Sequence, residues 1–479
     1  MRQRVFIFLL FFLSPGWVCA EVFAQSGIDS ISRDVSSRID QKIVKSDAKS
    51  ESAVKDLLAK PLTVDSAVQI SLWNNKSLQA VLESWGIAKA DFNKTRLPQN
   101  PTFGASVRIP QRDEPNNNVE FTVEQDFLSL ILFPLKSNLA GAQLHKAELE
   151  ITQEVLDLAF ETKWAFYEVQ GGLEMLSMRK RVLEQAEVSA ELAKRQFEAG
   201  NISELDYANE KAFYEDTKLQ HIKIEADLAE KKENLNRLMG FGGEIPTWEI
   251  KDELQEMQIS ELSYEELLSL GMSKRLDLLI TRKNVEALKH ALSLNRLGVL
   301  GHPEVGISTE KDVDGARVTG PTVRTDVPIY NLGQTEVSRS GAELKEAEFK
   351  LKALENDVRS EIKQKRDRLF ATRALIEECQ KAVIPNRIKM TDETQKHYNY
   401  MLLGNYNLIR AKQDEILAKK EYIEILKEYW VARSDIEKAV SSKLVLTESV
   451  SKPVSESKPA EDMSHMSMAN MHHQGGSHE

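Results

Sequence analysis

The segment GAQLHKAELE (Gly141–Glu150) returns 200 residues later as GAELKEAEFK (Gly341–Lys350). Working outward, Leu62, Leu78, Arg96 and Leu97 recur as Leu262, Leu278, Arg296 and Leu297, and Pro101 and Gly104 as Pro303 and Gly306. Downstream, EAGNISEL ending at Leu205 lines up with LLGNYNLI ending at Ile409. Spacing drifts only where loops are expected. Self-similarity of this length marks a duplicated unit, with a first repeat over residues 62–261 and a second over 262–446.

Each unit has the same internal order. A helical stretch comes first, Thr63–Leu97 and then Ser263–Leu297, closed by proline or glycine. Strict alternation follows: Phe103, Ala105, Val107 and Ile109 share one face, as do Val119, Phe121 and Val123, with Glu120, Thr122 and Glu124 opposite. Period two is the strand signature, so β-hairpins are expected over residues 102–127 and, more weakly from Val305, Ile307, Val323, Thr325 and Val327, over 304–329. Long helices are expected from Asn138 to Ala199 and from Gln334 to Leu403, with Pro385 the main interruption. Some 60 helical residues extend roughly 90 Å. Rods of that length need partners, and Leu144, Ala147, Ile151, Val155 and Leu158 supply a stripe at steps of three and four, as do Leu344, Ala347, Leu351, Leu354 and Val358. Periodicity alone also allows an ordinary coiled coil. Small residues within the stripe suit helices packed side by side around something wet.

The ends read differently. Residues 1–24 carry Arg2 and Arg4, an apolar run from Val5 to Leu13, and small residues at Ala20 and Ala24, which reads as a secretory signal. Cleavage after either alanine stays open, and Trp17 argues against lipid attachment at Cys19. Without the signal Cys379 is the one remaining cysteine, so no internal disulfide is available. Beyond the signal no apolar run approaches the roughly 20 residues of a spanning helix, so a membrane crossing has to use strands. A formal net charge of −11, with acids and bases interspersed, argues against a nucleic-acid partner. Residues 25–61, polar and rich in Ser, Lys and Asp, read as a flexible or extended segment.

The order signal, helix, hairpin, very long helix, Gly turn, helix, performed twice, resembles the TolC family of outer-membrane efflux proteins, in its heavy-metal branch. The resemblance covers Leu62 to Val440. Its carriers are NKSLQAV (75–81) and RLDLLIT (275–281), the strand entries LPQNPTFGASV (97–107) and LGVLGHPEVGIS (297–308), and the turns FEAGNISELDYA (197–208) and YMLLGNYNLIRA (400–411). It implies a mainly α protein with a β-barrel portion: a homotrimer whose twelve-stranded barrel, four transmembrane strands per chain, sits in outer-membrane lipid and continues as an α-helical periplasmic tunnel. It also implies a conduit with no enzymatic activity, in the outer membrane of a diderm bacterium, served by a periplasmic adaptor and an inner-membrane RND-type pump.

By the same resemblance the two Gly turns are adaptor-contacting tips, formed by Gly200, Asn201, Ile202 and Leu205 and by Gly404, Asn405, Tyr406 and Ile409. Gly and Asn at a left-handed helix end would look the same without any contact. A periplasmic gate is expected soon after the second turn, where Asp206 stands in the first copy and Arg410, Gln413 and Asp414 in the second. A single acid in the second copy makes a solvated face of i to i+4 ion pairs an equal reading.

The last segment, 447–479, is Ser, Pro, Met and His with few bulky aliphatics, the composition of a disordered tail. Met463, His465, Met466, Met468, Met471, His472, His473 and His478 mix thioethers with imidazoles, a donor set suited to Cu(I) and Ag(I), with other transition metals open. Such a tail makes a weak, exchangeable site, and no cofactor is expected to be required. The expected function is heavy-metal export through an outer-membrane channel. A similar duct for drugs or type I secreted polypeptides, and a periplasmic coiled-coil adaptor without membrane strands, are the alternatives.

Overall fold

Thr63 and Ser263 start the two repeats in the same way. Each side-chain hydroxyl accepts from the backbone N–H three residues on, and the side chain of Ser66 or Glu266 reaches back to the cap, a capping box in both copies. The structure, a computed structural model, describes residues 19–43, 48–97, 99–110, 116–243, 246–250, 253–255, 263–298, 303–325 and 332–444. The expected signal (all but its last residues) and the Met/His tail lie outside these.

The elements run α1 (Cys19–Ile39), α2 (Ala48–Leu58), α3 (Val64–Asn74), α4 (Lys76–Arg96), β1 (Thr102–Arg108), β2 (Asn118–Asp126), α5 (Phe127–Ile131), α6 (Phe133–Glu198) and α7 (Glu204–Leu238). The second repeat gives α8 (Tyr264–Lys274), α9 (Leu276–Gly298), β3 (Glu304–Lys311), β4 (Arg317–Arg324), α10 (Gln334–Glu378), a π-helical turn (Cys379–Val383), α11 (Ile384–Asn399) and α12 (Asn405–Ala439). The four strands form one antiparallel sheet in the order β1-β2-β3-β4.

Three expectations need correction. Residues 25–61 are not simply flexible or extended. They hold most of α1 and all of α2, because Ile28, Ile31, Val35 and Ile39 fall at helical spacing and bury against Leu82 and Phe160. The initial 35-residue helix is two helices in each repeat, broken where Asn75 and Arg275 adopt extended backbone. The break is held from outside: the Asn74 and Asn75 side-chain amides donate to Met239 O and Leu238 O, both at 3.0 Å. Arg275 does the equivalent for Ala439 O at 3.4 Å. The end of each repeat's last helix is thereby capped by the kink of its first. Arg38 joins the second capping site, donating to Lys274 O at 2.6 Å and Ser441 O at 3.3 Å.

The third correction concerns the second long helix. It does not run unbroken to Leu403. At Cys379–Val383 the hydrogen bonds widen to i→i+5, with Ile384 N–H bonded to Cys379 O. Pro385, which has no N–H, follows directly. The repeats explain why. Caps before this turn are 200 residues apart, Thr63 to Ser263. The left-handed residues after it, Gly200 and Met401, then Gly240 and Ser441, are 201 apart. The second repeat therefore contains one extra residue, and a π turn is the local way to absorb a single insertion without rotating everything beyond it. Cys379 itself is buried and free, and burial pushes its thiol up.

Burial is concentrated where α3, α4, α8 and α9 meet the middle of α6, α10 and α12. One cluster joins Leu78, Trp85, Val155 and Leu276, and another Leu278, Ile362, Tyr429 and Ile436. Between the repeats, Lys163 on α6 and Glu437 on α12 form a buried ion pair at 2.7 Å. Gly171 and Gly172 lie beneath the stems of Lys427 and Lys231, where an added Cβ would come within 2.9 Å of Lys427 Cγ and of Leu228 Cδ1. Those two lysines converge on Glu168 from α12 and α7, at 3.0 and 3.2 Å.

Candidate functional site

The sheet sorts its side chains by face, as period-two geometry requires. Register places Phe103 opposite Val123, Ala105 opposite Phe121, Val123 opposite Ile307 and Val305 opposite Val323. Phe103, Val107, Phe121, Val123, Ile307 and Val323 are all exposed, so one face is an apolar surface left uncovered by the described residues. The Phe103 and Phe121 rings lie 6.1 Å apart on it. The opposite face is polar and cross-linked: Arg108 pairs with Glu120 at 3.1 Å, Ser308 donates to Glu120 at 3.2 Å, Asn118 donates to Glu310, and Arg324 pairs with Glu124. Among the described residues no helix is long and apolar enough to cross a membrane.

At the far end of the long helices lie two turns. In the first, Gly200 sits at φ 75°, and the N–H groups of Gly200 and Asn201 donate back to Phe197 O and Gln196 O. Ser203 caps α7 by accepting from Asp206 N. In the second, the same bonds run from Met401 to Tyr398 O and from Leu402 to His397 O, and the left-handed residue is Met401, at φ 59°. Gly404 has φ −76° and stands at the position of Ser203, as the residue before α12. The sequence pairing of Gly200 with Gly404 is therefore three residues out of register. The glycines match as letters and play different parts.

This shift redistributes the expected tip residues. Leu205 and Tyr406 are the true counterparts and are 70% and 62% exposed. Ile409, expected beside them at the surface, is only 8% exposed. It lines a cavity of about 510 Å³ between α6, α7, α11 and α12, with Met178, Val182, Phe213, Lys412 and Glu415. Desolvation pushes the Glu415 carboxyl up, but hydrogen bonds from Lys419 and Thr391 outweigh it and hold the group below the usual range. Sequence reading missed the apolar residues at the second turn, Tyr400, Met401 and Leu402, all exposed. Their signal was available in the sequence: three large apolar side chains in succession at a turn.

The gate candidates are not brought together within the chain. Asp206 accepts from Ser203 Oγ at 2.7 Å in the α7 cap, and Asp414 pairs with Arg387 at 3.0 Å, while Arg410 and Gln413 are exposed. Among the described residues no group of three or more His, Cys, Asp or Glu side chains could hold a metal. The candidate metal ligands of the tail lie outside the described residues.

The chain is thus a duplicated helical unit with a sheet that is apolar on one face and with helical turns at the opposite end of the long helices. Residues 67–241, within the first repeat, match the family described as outer membrane efflux protein. Three solved structures share the fold at low identity. CusC, whose structures concern folding and transmembrane channel formation, is 15% identical, with a TM-score of 0.66 over 79% of this chain and 92% of that one. The Campylobacter jejuni CmeC outer membrane channel is 14% identical, with a TM-score of 0.67 over 80% and 87%. The outer membrane protein VceC of Vibrio cholerae is 15% identical, with a TM-score of 0.64 over 79% and 96%. No match to a curated protein sequence was found. At these identities the likeness concerns the fold, and the family match is confined to part of the first repeat.

Proposed function

We propose that three copies of this chain close their sheets into one twelve-stranded barrel and serve as the outer-membrane duct of a tripartite system that exports heavy-metal ions, Cu(I) or Ag(I) first among them. The observation that carries the duct is the sheet. Its outer strands β1 and β4 each have an edge without a strand partner among the described residues, and unpaired backbone in lipid costs several kcal/mol per group. Closure with two further copies satisfies those edges, turns the Phe103 and Phe121 face to lipid and the Glu120 and Glu310 face to the lumen. The helices then continue as a periplasmic tunnel, and the tips meet a periplasmic adaptor that links the duct to an RND-type inner-membrane pump.

The metal reading rests on the tail and on charge. Met463, His465, Met466, Met468, Met471, His472, His473 and His478 give soft donors for monovalent copper or silver. On the polar face of the sheet Glu120, Glu124, Asp126, Glu304 and Glu310 outnumber Arg108 and Arg324, which favours a cation as cargo. The test is copper and silver sensitivity of cells lacking the gene, complemented by the full chain or by one ending at Leu446. Metal sensitivity rescued fully only by the full chain is the expected result. Normal metal tolerance with sensitivity to dyes or detergents refutes the metal reading and makes the chain a drug duct.

A further inference from the structure

Packed helices hold few voids larger than a water molecule, yet α6, α7, α11 and α12 leave a cavity of about 510 Å³ between them. That is the size of a small-molecule site. The sequence of α11 is the reason. This helix buries none of its residues and gives the wall Thr391 alone, so the space beside α12 is not filled from that side.

The wall is apolar along much of its length, with Met178, Val182, Phe213, Ile409 and Ile416. Its charges are unevenly matched. Glu415 and Lys419 pair with each other at 2.5 Å. Glu210 does not share in that pairing. It stands with Phe213 and Thr217 on a stripe of α7 at steps of three and four, where an apolar residue is expected. It is only 7% exposed, and among the described residues its one partner is the Ser189 hydroxyl, which donates to it at 2.9 Å. A carboxylate taken out of water has about four acceptor sites to fill, and one neutral donor leaves it under-satisfied. Lys412, half-buried on α12, lines the same cavity and forms no ion pair among the described residues. Both groups lie about two helical turns in from the starts of α7 and α12, while Val182 and Met178 stand farther from the turns on α6.

We propose that this cavity binds a small zwitterion with an apolar body, the chemistry of a free apolar dipeptide. Its ammonium meets Glu210, its carboxylate meets Lys412, and its side chains lie along Phe213, Val182 and Met178. Charge sets this choice. A plain cation held by Glu210 is repelled by Lys412, and a plain anion held by Lys412 is repelled by Glu210. One molecule carrying both termini satisfies both. Arg181, the remaining base on the wall, is exposed and solvated. The inference concerns a site within one chain and depends neither on the duct reading nor on its cargo.

The test uses the purified full chain in a non-ionic detergent and radiolabelled L-phenylalanyl-L-leucine, followed by equilibrium dialysis. Two relatives of the probe, measured by competition, isolate its charges: the N-acetyl dipeptide lacks the ammonium and the dipeptide amide lacks the carboxylate. Saturable binding of a single dipeptide per chain is expected, weakened about tenfold or more by either modification, as loss of a charge-assisted hydrogen bond requires. Glu210→Gln should weaken the dipeptide to a similar degree while abolishing the difference between it and the acetylated form. Lys412→Met should do the same for the difference between dipeptide and amide. Uptake that rises linearly without saturating, acetylated or amidated probes that bind the parent as tightly as the dipeptide, or an unchanged Kd in either variant overturns the proposal. Melting curves without probe report whether each variant folds, and if one does not, the three probes on the parent chain decide the matter.

Discussion

Replacing Lys163 by methionine tests how the two repeats are joined. Lys163 Nζ lies 2.7 Å from Glu437 Oε2, and the side chains are 7% and 8% exposed. At that distance and an effective dielectric constant near 20, the Coulomb attraction is about 6 kcal/mol. Desolvation of both ions takes back much of it, so the net worth of the pair is far smaller than its attraction. Removing one partner is different, because Glu437 then stays buried and charged, a change that costs about 3–5 kcal/mol. Glu437 cannot simply swing away, since its other oxygen accepts from Leu444 N at 3.0 Å. Met keeps most of the lysine stem, so packing against Phe160 is preserved. The assay is guanidinium unfolding of the purified channel in detergent, followed by helical circular dichroism, for Lys163→Met, Glu437→Gln and the double variant. Lys163→Met should lose about 3–5 kcal/mol, and the double variant should regain about 2 kcal/mol or more of that loss. A single variant within about 1 kcal/mol of the parent, or a double variant no better than the single, refutes the reasoning.

Gly240→Ala should lower the melting temperature by several degrees, because φ is 78° and a Cβ there would lie 2.7 Å from Asn74 O; an unchanged melting curve would show that the kink cap is not tight. Deleting Gln380 removes the extra residue of the second repeat but forces Pro385 into a continuous α-helix, at a cost of about 3 kcal/mol. Adding Pro385→Ala should restore stability, and failure of that rescue in denaturant titrations counts against the insertion account. Glu168 gives a pH dependence. Burial pushes its carboxyl up, but the hydrogen bonds and charges of Lys427 and Lys231 outweigh burial and hold it below its ordinary 4.5. A lowered folded-state value means the stabilisation is present above about pH 4.5 and is lost as pH falls through the folded value. Melting temperatures measured from pH 6 to pH 3 should therefore fall less steeply for Glu168→Gln than for the parent, and parallel curves would remove Glu168 from the account.

Several features were legible because they are local. The capping residues Thr63 and Ser263, the alternation from Phe103 to Val107 and from Val119 to Val123, and the stripe through Ile151 and Val155 depend on neighbours within a few positions. Each emerged in the structure as a helix start, a strand pair or a buried face. The α1 helix was missed although Ile28, Ile31, Val35 and Ile39 carry the right spacing, because its length is otherwise polar and its burial comes from α4 and α6. The kinks at Asn75 and Arg275 were missed for a related reason. Both lie in helix-forming sequence and are held by carbonyls more than 160 residues away.

The tips show the division most clearly. Sequence comparison aligned glycine with glycine and thereby paired Leu205 with Ile409, one exposed and one buried. Sequence by itself determined the duplication, the strand faces and the place of the turns, since each is written in periodicity or in repeated letters. Only the tertiary structure decided the register of the second repeat, because a π turn at Cys379 changes the residue count without changing any local preference strongly enough to be read. It alone decided, too, that Met401 and not Gly404 takes the left-handed position and faces the solvent. Backbone geometry at a helix end is set by which carbonyls remain to be satisfied, and that depends on where the helix before it was widened.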